Sequence, residues 1–238
     1  MMLKIAYVYP DLLNLYGDGG NLRCLCYRCR MRGVAVQIDE FPCGLPLPTD
    51  YDIYFIGGGQ DFEQSVLLGD LKNMGKDAAL CQIVEQGRVV LAICGGYQLL
   101  GRYYQAADGK RLVFSGALDL YTVAGEKRLI GNFAFRCGST VAVGFENHAG
   151  RTYLGNVPPL GRVVRGFGNN GKDKTEGAHY KNTFGTYAHG PFLPRNPAFA
   201  DQMLQTALQK KYGPVTLQAL DDRLETNARN DFLQKYIR

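Results

Sequence analysis

The sequence predicts an α/β protein with a largely parallel central sheet flanked by helices and additional strands in its second half. Three observations carry this prediction. The first half alternates short apolar runs with segments of helical period. One run, Val89-Val90-Leu91-Ala92-Ile93, is apolar without alternation, as a strand buried on both faces must be. Glycine clusters follow two of the runs, at Gly57-Gly58-Gly59 and Gly95-Gly96, where tight turns leave a strand.

Leu3 to Tyr9 is an apolar first strand, followed by a turn-rich loop from Pro10 to Gly20. Asn21 to Arg32 reads as a helix ending near Gly33, and Val34 to Ile38 as the next strand. Asp52 to Ile56 is a strand that ends in the triple glycine, and Asp61 to Gln86 holds helical material broken around Gly69 and Gly75. Beyond the central strand, Leu112 to Ser115, Leu118 to Val123, Ile130 to Arg136, Val141 to Phe145 and Thr183 to Ala188 carry strand signals. Gly161 to Gly177, rich in Gly and Lys, reads as an exposed loop or hairpin excursion. Pro197 to Tyr212 is a helix with Asn196 as its cap and Gly213-Pro214 as its stop, and a last helix runs roughly from Leu220 to Tyr236.

Bulk properties narrow the function classes. The 238 residues, 46% of them apolar, suffice for one large domain with a full core. No apolar run reaches the roughly 18 residues of a membrane span, and the N-terminus has no signal-peptide pattern, so a cytoplasmic location is expected. The net charge of +5 is modest and scattered, and no nucleic-acid signature is present. Arg23 to Arg32 is the densest basic stretch, either a solvated helix face or a patch for an acidic partner. Seven cysteines, an odd number without secretory features, argue against a disulfide framework. Cys24, Cys26 and Cys29 lack the second pair or nearby His of a zinc site, so no metal is expected.

The most informative segment runs from Val89 to Gly101. A buried strand leads into Cys94, then Gly95-Gly96, then a short amphipathic helix. Such a sharp strand-to-helix turn presents a nucleophile at the top of a sheet. The start of a helix also favours thiolate over thiol. The Gly95 amide, with a facing donor from Gly57-Gly58-Gly59, would hold an oxyanion. The same residues also fit a buried core thiol at a tight turn. Gln98, one turn along, would help hold a substrate's polar end.

Ala92-Ile93-Cys94-Gly95-Gly96-Tyr97-Gln98-Leu99-Leu100-Gly101 resembles the nucleophile motif of class I glutamine amidotransferases, in their cobyric acid synthase-like (CobB/CobQ) branch. Phe55-Ile56-Gly57-Gly58-Gly59-Gln60-Asp61 resembles that branch's oxyanion strand. The opening Pro10-Asp11-Leu12-Leu13-Asn14-Leu15-Tyr16-Gly17-Asp18-Gly19-Gly20-Asn21 is similar to GatD-type subunits, the glutaminase half of lipid II isoglutaminyl synthase. Gly144 to Gly150 and Gly185 to Pro191 also look like that family, so the similarity runs from residue 3 to about 212.

The resemblance implies one amidotransferase domain over 1–238 with a C-terminal helical extension from about 214. It implies Cys94 and His189 as catalytic pair, with Gly58 and Gly95 as oxyanion donors. Arg128 resembles a position near the glutamine carboxylate, which a planar guanidinium suits; Gln98 and Gly59 are assigned to the substrate as well. Of the three histidines, His189 follows an apolar strand and comes 95 residues after Cys94, in the family's order. His148 is a pocket or a structural residue, and His179 structural or exposed.

The common class I pattern has a carboxylate two residues after the His. Here that position is Pro191. His189 would then work in a dyad, borrow a distant carboxylate such as Glu146 or Asp18, or take one from a partner chain; the partner is the favoured expectation. The chain has no P-loop or other nucleotide motif, so no cofactor is expected in it. The resemblance implies a Mur ligase-like (MurT-type) synthetase partner that holds ATP and Mg, through which lipid II is reached and L-glutamine's ammonia is used. A subunit for corrinoid amidation, or an inactive scaffold of the same fold, stands as the alternative.

Overall fold

The computed structural model describes residues 1–59 and 64–236. Gln60 and Asp61, which end the second motif and open the 61–86 stretch, lie outside the described residues. The elements begin with β1 (Met2–Val8), a 3-10 turn at Leu15–Gly17, α1 (Gly20–Arg30), β2 (Ala35–Phe41), β3 (Ile53–Ile56), α2 (Gln64–Asn73), α3 (Lys76–Glu85), β4 (Val89–Ile93) and α4 (Gly95–Leu99). They continue with β5 (Tyr103–Gln105), β6 (Arg111–Val113), β7 (Leu120–Cys137), β8 (Thr140–Leu154), β9 (Gly161–Arg165), β10 (Thr175–Glu176), β11 (Ala178–Tyr180) and β12 (Thr183–Thr186). Helices α5 (Phe192–Arg195), α6 (Pro197–Tyr212) and α7 (Arg223–Tyr236) close the chain.

The first sheet has the order β11-β12-β4-β3-β1-β2. Its strands are parallel except β11, which is antiparallel at the edge. This is the α/β architecture that the unalternating apolar runs predict. Every residue of β3 and β4 is buried, and each large aliphatic side chain removed from water there contributes roughly 1.5–3 kcal/mol. The second sheet, β10-β9-β7-β5-β6 with β8 paired to β7, rests on one long hairpin. Three separate strand signals, at 118–123, 130–136 and 141–145, belong to its two arms, with a register shift between Ala124 and Leu129.

Some details differ from the sequence expectation. Helix α2 passes through Gly69 unbroken, and the break falls at Gly75, whose φ of 63° precedes α3. The 161–177 stretch is not an exposed excursion: it forms β9 and β10, and Asn169, Asn170 and Glu176 within it are buried. Asn196 precedes α6 but clasps β8 instead of capping the helix, through Val143 N–H at 2.9 Å and Val143 C=O at 2.9 Å.

Two of the four arginines of the basic stretch, Arg28 and Arg32, pair inside the chain, while Arg23 and Arg30 are exposed. Arg28, 2% exposed, makes paired hydrogen bonds to Asp201 of α6 (2.6 and 2.6 Å) and to Asp222 ahead of α7 (2.6 and 2.9 Å). Arg32 adds two more to Asp201. This fork-to-fork pairing anchors the start of α7, which otherwise has no buried residue. Among the described residues no helix is long and apolar enough to cross a membrane.

Candidate active site

Four loops leave the same carboxyl edge of the first sheet, after β1, β3, β4 and β12, the edge where α/β folds gather their ligands. They carry Asp18, Gly57 to Gly59, Cys94 and His189. Cys94 joins β4 to α4 at φ 48°, ψ −102°, a strained conformation for a residue with a Cβ. Three hydrogen bonds hold it there. The Cys94 N–H donates to Thr186 C=O (2.8 Å), the Gln98 N–H donates to Cys94 C=O (2.9 Å), and the Gly96 N–H donates to Gly57 C=O (3.1 Å). The thiol belongs to a residue only 5% exposed.

His189 follows β12, pinned by reciprocal backbone bonds with Phe145 of β8. Its Nδ1 lies 3.2 Å from each oxygen of the fully buried Asp18 carboxylate, so Nδ1–H is the donor. Its Nε2 is buried without a hydrogen-bond partner among the described residues, which leaves it for the sulfur and the substrate. Burial pulls the imidazole pKa down, but the Cys94 thiolate and then the Asp18 carboxylate outweigh it, and the net value is raised. The arrangement favours the imidazolium form of His189.

The three side chains converge on bare backbone at Gly58. A Cβ there would lie 2.6 Å from His189 Cε1, 2.9 Å from Asp18 Oδ2 and 3.3 Å from Cys94 Cβ. Gly58→Ala must therefore displace His189 or Asp18. Because misplacement by about 1 Å costs on the order of 10²-fold in rate, kcat for glutamine hydrolysis is expected to fall by about that factor. A purified variant with wild-type kcat would show that this convergence is not needed.

Of the carboxylates expected behind His189, this chain's Asp18 faces Nδ1 and Glu146 does not. Glu146 is instead bound by the Phe167 and Gly168 N–H groups, at 2.8 and 2.9 Å. The Gly58 N–H is also not turned to an oxyanion, because it donates to Asp18 Oδ2 at 2.8 Å. The neighbouring Gly59 backbone packs against Gly95, its N 3.0 Å from where a Gly95 Cβ would stand. Among the described residues neither the Gly59 nor the Gly95 N–H has an acceptor.

Pro191 explains how Asp18 reaches the histidine. It starts α5 and packs so tightly on Gly20 that a Cβ there would stand 2.5 Å from the proline Cγ. The loop before α1 is thereby drawn under His189. Asn21 locks it, donating to Asp18 C=O (2.9 Å) and accepting the Leu193 N–H (2.8 Å). On the other side the Leu15 N–H donates to Gly58 C=O at 2.9 Å.

Arg128 is exposed. It donates to Asn147 Oδ1 (2.7 Å) and Asn147 C=O (2.9 Å). Asn147 Nδ2 in turn donates to the Tyr16 hydroxyl, and the Tyr16 ring stands edge-on to His189 with centroids 5.0 Å apart. Sequence reasoning missed Tyr16 and Asn147; no residue-type pattern marks them. Gln98 is 6% exposed and gives its Nε2–H to the Tyr187 hydroxyl at 3.0 Å, in a buried chain that continues to Thr152 and Thr122. His148 is buried and stacks on Tyr187 with ring centroids 3.6 Å apart. Burial lowers its pKa, against the pull of Glu146. His179 stacks on Phe184. Cys24, Cys26 and Cys29 spread around α1, and burial pushes the Cys24 and Cys29 thiols up to about 12. Among the described residues no cluster of His, Cys, Asp or Glu is arranged to hold a metal.

Known proteins resemble this chain in both sequence and fold. The CobB/CobQ-like glutamine amidotransferase domain matches residues 4–197. A Streptococcus pneumoniae protein, the GatD subunit of lipid II isoglutaminyl synthase (glutamine-hydrolyzing), is 43% identical over 236 residues, covering 97% of this chain and 90% of its own length. The Staphylococcus aureus protein of the same description is 40% identical over 235 residues, covering 98% and 96%. Among solved structures, PurLQS of Thermotoga maritima shares the fold, with a TM-score of 0.56 at 16% identity, covering 89% of this chain and 100% of that one. With a cysteine on a strained strand-to-helix turn, a histidine beside it and this likeness over nearly the whole chain, the protein belongs to the CobB/CobQ-like glutamine amidotransferase family, in its GatD type.

Proposed function

We propose that this chain is the glutaminase subunit of a lipid II isoglutaminyl synthase. The observation that carries the reading is the convergence of Cys94, His189 and Asp18 at Gly58. Cys94 thiolate attacks the side-chain amide carbonyl of L-glutamine, and the Gly59 and Gly95 N–H groups bind the oxyanion. His189, oriented by Asp18, protonates the leaving ammonia through Nε2. It then takes a proton from water, which releases glutamate from the thioester. Arg128 receives the α-carboxylate of glutamine at the rim, where its guanidinium is braced by Asn147. Gln98 supports the pocket from behind through Tyr187.

The ammonia passes to a Mur ligase-like (MurT-type) partner in the cytoplasm, which holds ATP and Mg. The partner activates the D-glutamate carboxyl of the lipid II stem peptide for amidation. The relatives' description as subunits supports an assembly of this kind. The test is a reaction of the chain with such a partner, ATP, Mg, lipid II and glutamine carrying ¹⁵N in its side-chain amide. The label is expected in the product amide, lost with Cys94→Ala and replaced by unlabelled nitrogen when ammonium is supplied. Glutamine hydrolysis with no label in lipid II would leave the amidotransferase chemistry standing and overturn this acceptor.

A further inference from the structure

Behind the nucleophile lies a carboxyl for which the hydrolytic chemistry has no use. Glu176 ends β10 in the second sheet, reaches into the first and is fully buried. Its Oε1 accepts the Thr186 hydroxyl at 2.7 Å and the Tyr187 N–H at 2.8 Å. Its Oε2 is buried without a hydrogen-bond partner among the described residues.

The contacts of Thr186 give Oε1 its importance. The Thr186 C=O accepts the Cys94 N–H at 2.8 Å, and its Oγ1 accepts the Ala188 N–H at 3.0 Å. Residues 186 to 188 are thus tied to a single carboxyl oxygen. The next residue is His189, and across the ladder Thr186 pairs with Ile93, whose neighbour Cys94 is held at positive φ. Both halves of the catalytic pair take their backbone positions from this strand end.

Burial pushes the Glu176 carboxyl up to about 8, against the pull of its bonds from Thr186 and Tyr187 and with help from the Glu146 charge. Raised in this way, the carboxyl resists ionisation more than an ordinary glutamate. Its Oε1 serves two donors at once. A glutamine at this position would offer the same oxygen. An apolar residue would leave the Thr186 hydroxyl and the Tyr187 N–H buried without an acceptor, which native interiors avoid.

We propose that Glu176 is a positioning residue for glutamine hydrolysis: it fixes the end of β12 and, through Thr186, the geometry between Cys94 and His189. The inference rests on the reading of Cys94 and His189 as the catalytic pair.

Four proteins test it: wild type, Glu176→Gln, Glu176→Met and Thr186→Val, each assayed for kcat and KM of glutamate release. Labelling of Cys94 by a thiol-directed glutamine analogue is followed in parallel by peptide mass. Glu176→Gln is expected within about threefold of wild type, while Glu176→Met loses about tenfold or more in kcat with KM little changed, as a small misplacement of reacting groups predicts. Thr186→Val is expected to fall in the same direction, and Cys94 to label more slowly in both impaired variants. Wild-type kcat in Glu176→Met, a loss confined to KM, or a Glu176→Gln variant as impaired as Glu176→Met would each overturn the proposal. If Glu176→Met has no cooperative melt, Thr186→Val decides, and its wild-type kcat is the overturning result. Absence of glutaminase activity from folded wild type, alone and with its partner, would instead bring down the reading on which the proposal rests.

Discussion

Cys94→Ala is expected to abolish glutamate release, by more than about 10³-fold, because removing a nucleophile leaves only binding and oxyanion stabilisation. His189→Ala should cost about 10²–10⁴-fold, the range for losing a general acid and base. The double variant should be scarcely worse than Cys94→Ala, since the two groups act as one unit. Cys94 is a small group at a turn, and its N–H bond to Thr186 survives substitution. Melting temperatures close to wild type are therefore expected for Cys94→Ala, and activity loss can be read as chemistry. Steady-state glutamate release, with mass spectrometry of protein treated with the glutamine analogue, makes the check. Residual hydrolysis above about one tenth of wild type in Cys94→Ala would move the nucleophile elsewhere.

The sequence showed the elements that repeat a pattern and concealed those that depend on a long-range approach. The Val89 to Ile93 strand, the turn at Cys94 and the strand before His189 were legible because burial on both faces and clustered glycines leave a mark in composition. Helix α6 was legible to the residue, from its proline start and Gly213-Pro214 stop. The long β7–β8 hairpin was not, because the register shift after Ala124 interrupts the alternation that would join its pieces. The 161–177 stretch looked exposed because its Gly and Lys residues outnumber Asn169, Asn170 and Glu176, which the fold draws inside. Which amide of the triple glycine faces the substrate depends on the rotation of single peptide planes, and no residue type records it. Here Asp18 takes the Gly58 N–H and leaves Gly59 beside Gly95.

Asp18→Asn should lower kcat by about 10²–10⁴-fold while changing KM little, the effect expected when an orienting carboxylate is neutralised. The substitution is nearly isosteric, and an asparagine oxygen still accepts the Gly58 N–H, so the loop before α1 keeps its place. What changes is the charge behind Nδ1. The negative Asp18 favours the imidazolium, so its removal lowers the His189 pKa, in the direction opposite to the present raising. The imidazolium is the form that protonates departing ammonia, and it is lost as pH rises. The alkaline limb of the kcat profile should therefore move to lower pH in Asp18→Asn. A purely structural loss would lower the profile at every pH and leave its shape unchanged. The same variant separates a carboxylate in this chain from one supplied by a partner: if a partner provided the orienting group, Asp18→Asn measured in the assembled complex would keep wild-type kcat and the wild-type alkaline limb. Asp18 lies 171 positions from His189 in sequence and 3.2 Å from it in space, and Pro191 stands where the common pattern has its acid. Pro191 packs on Gly20, just after the loop whose Asp18 carboxylate faces His189, so the residue in the usual acid's place borders the element that carries this one.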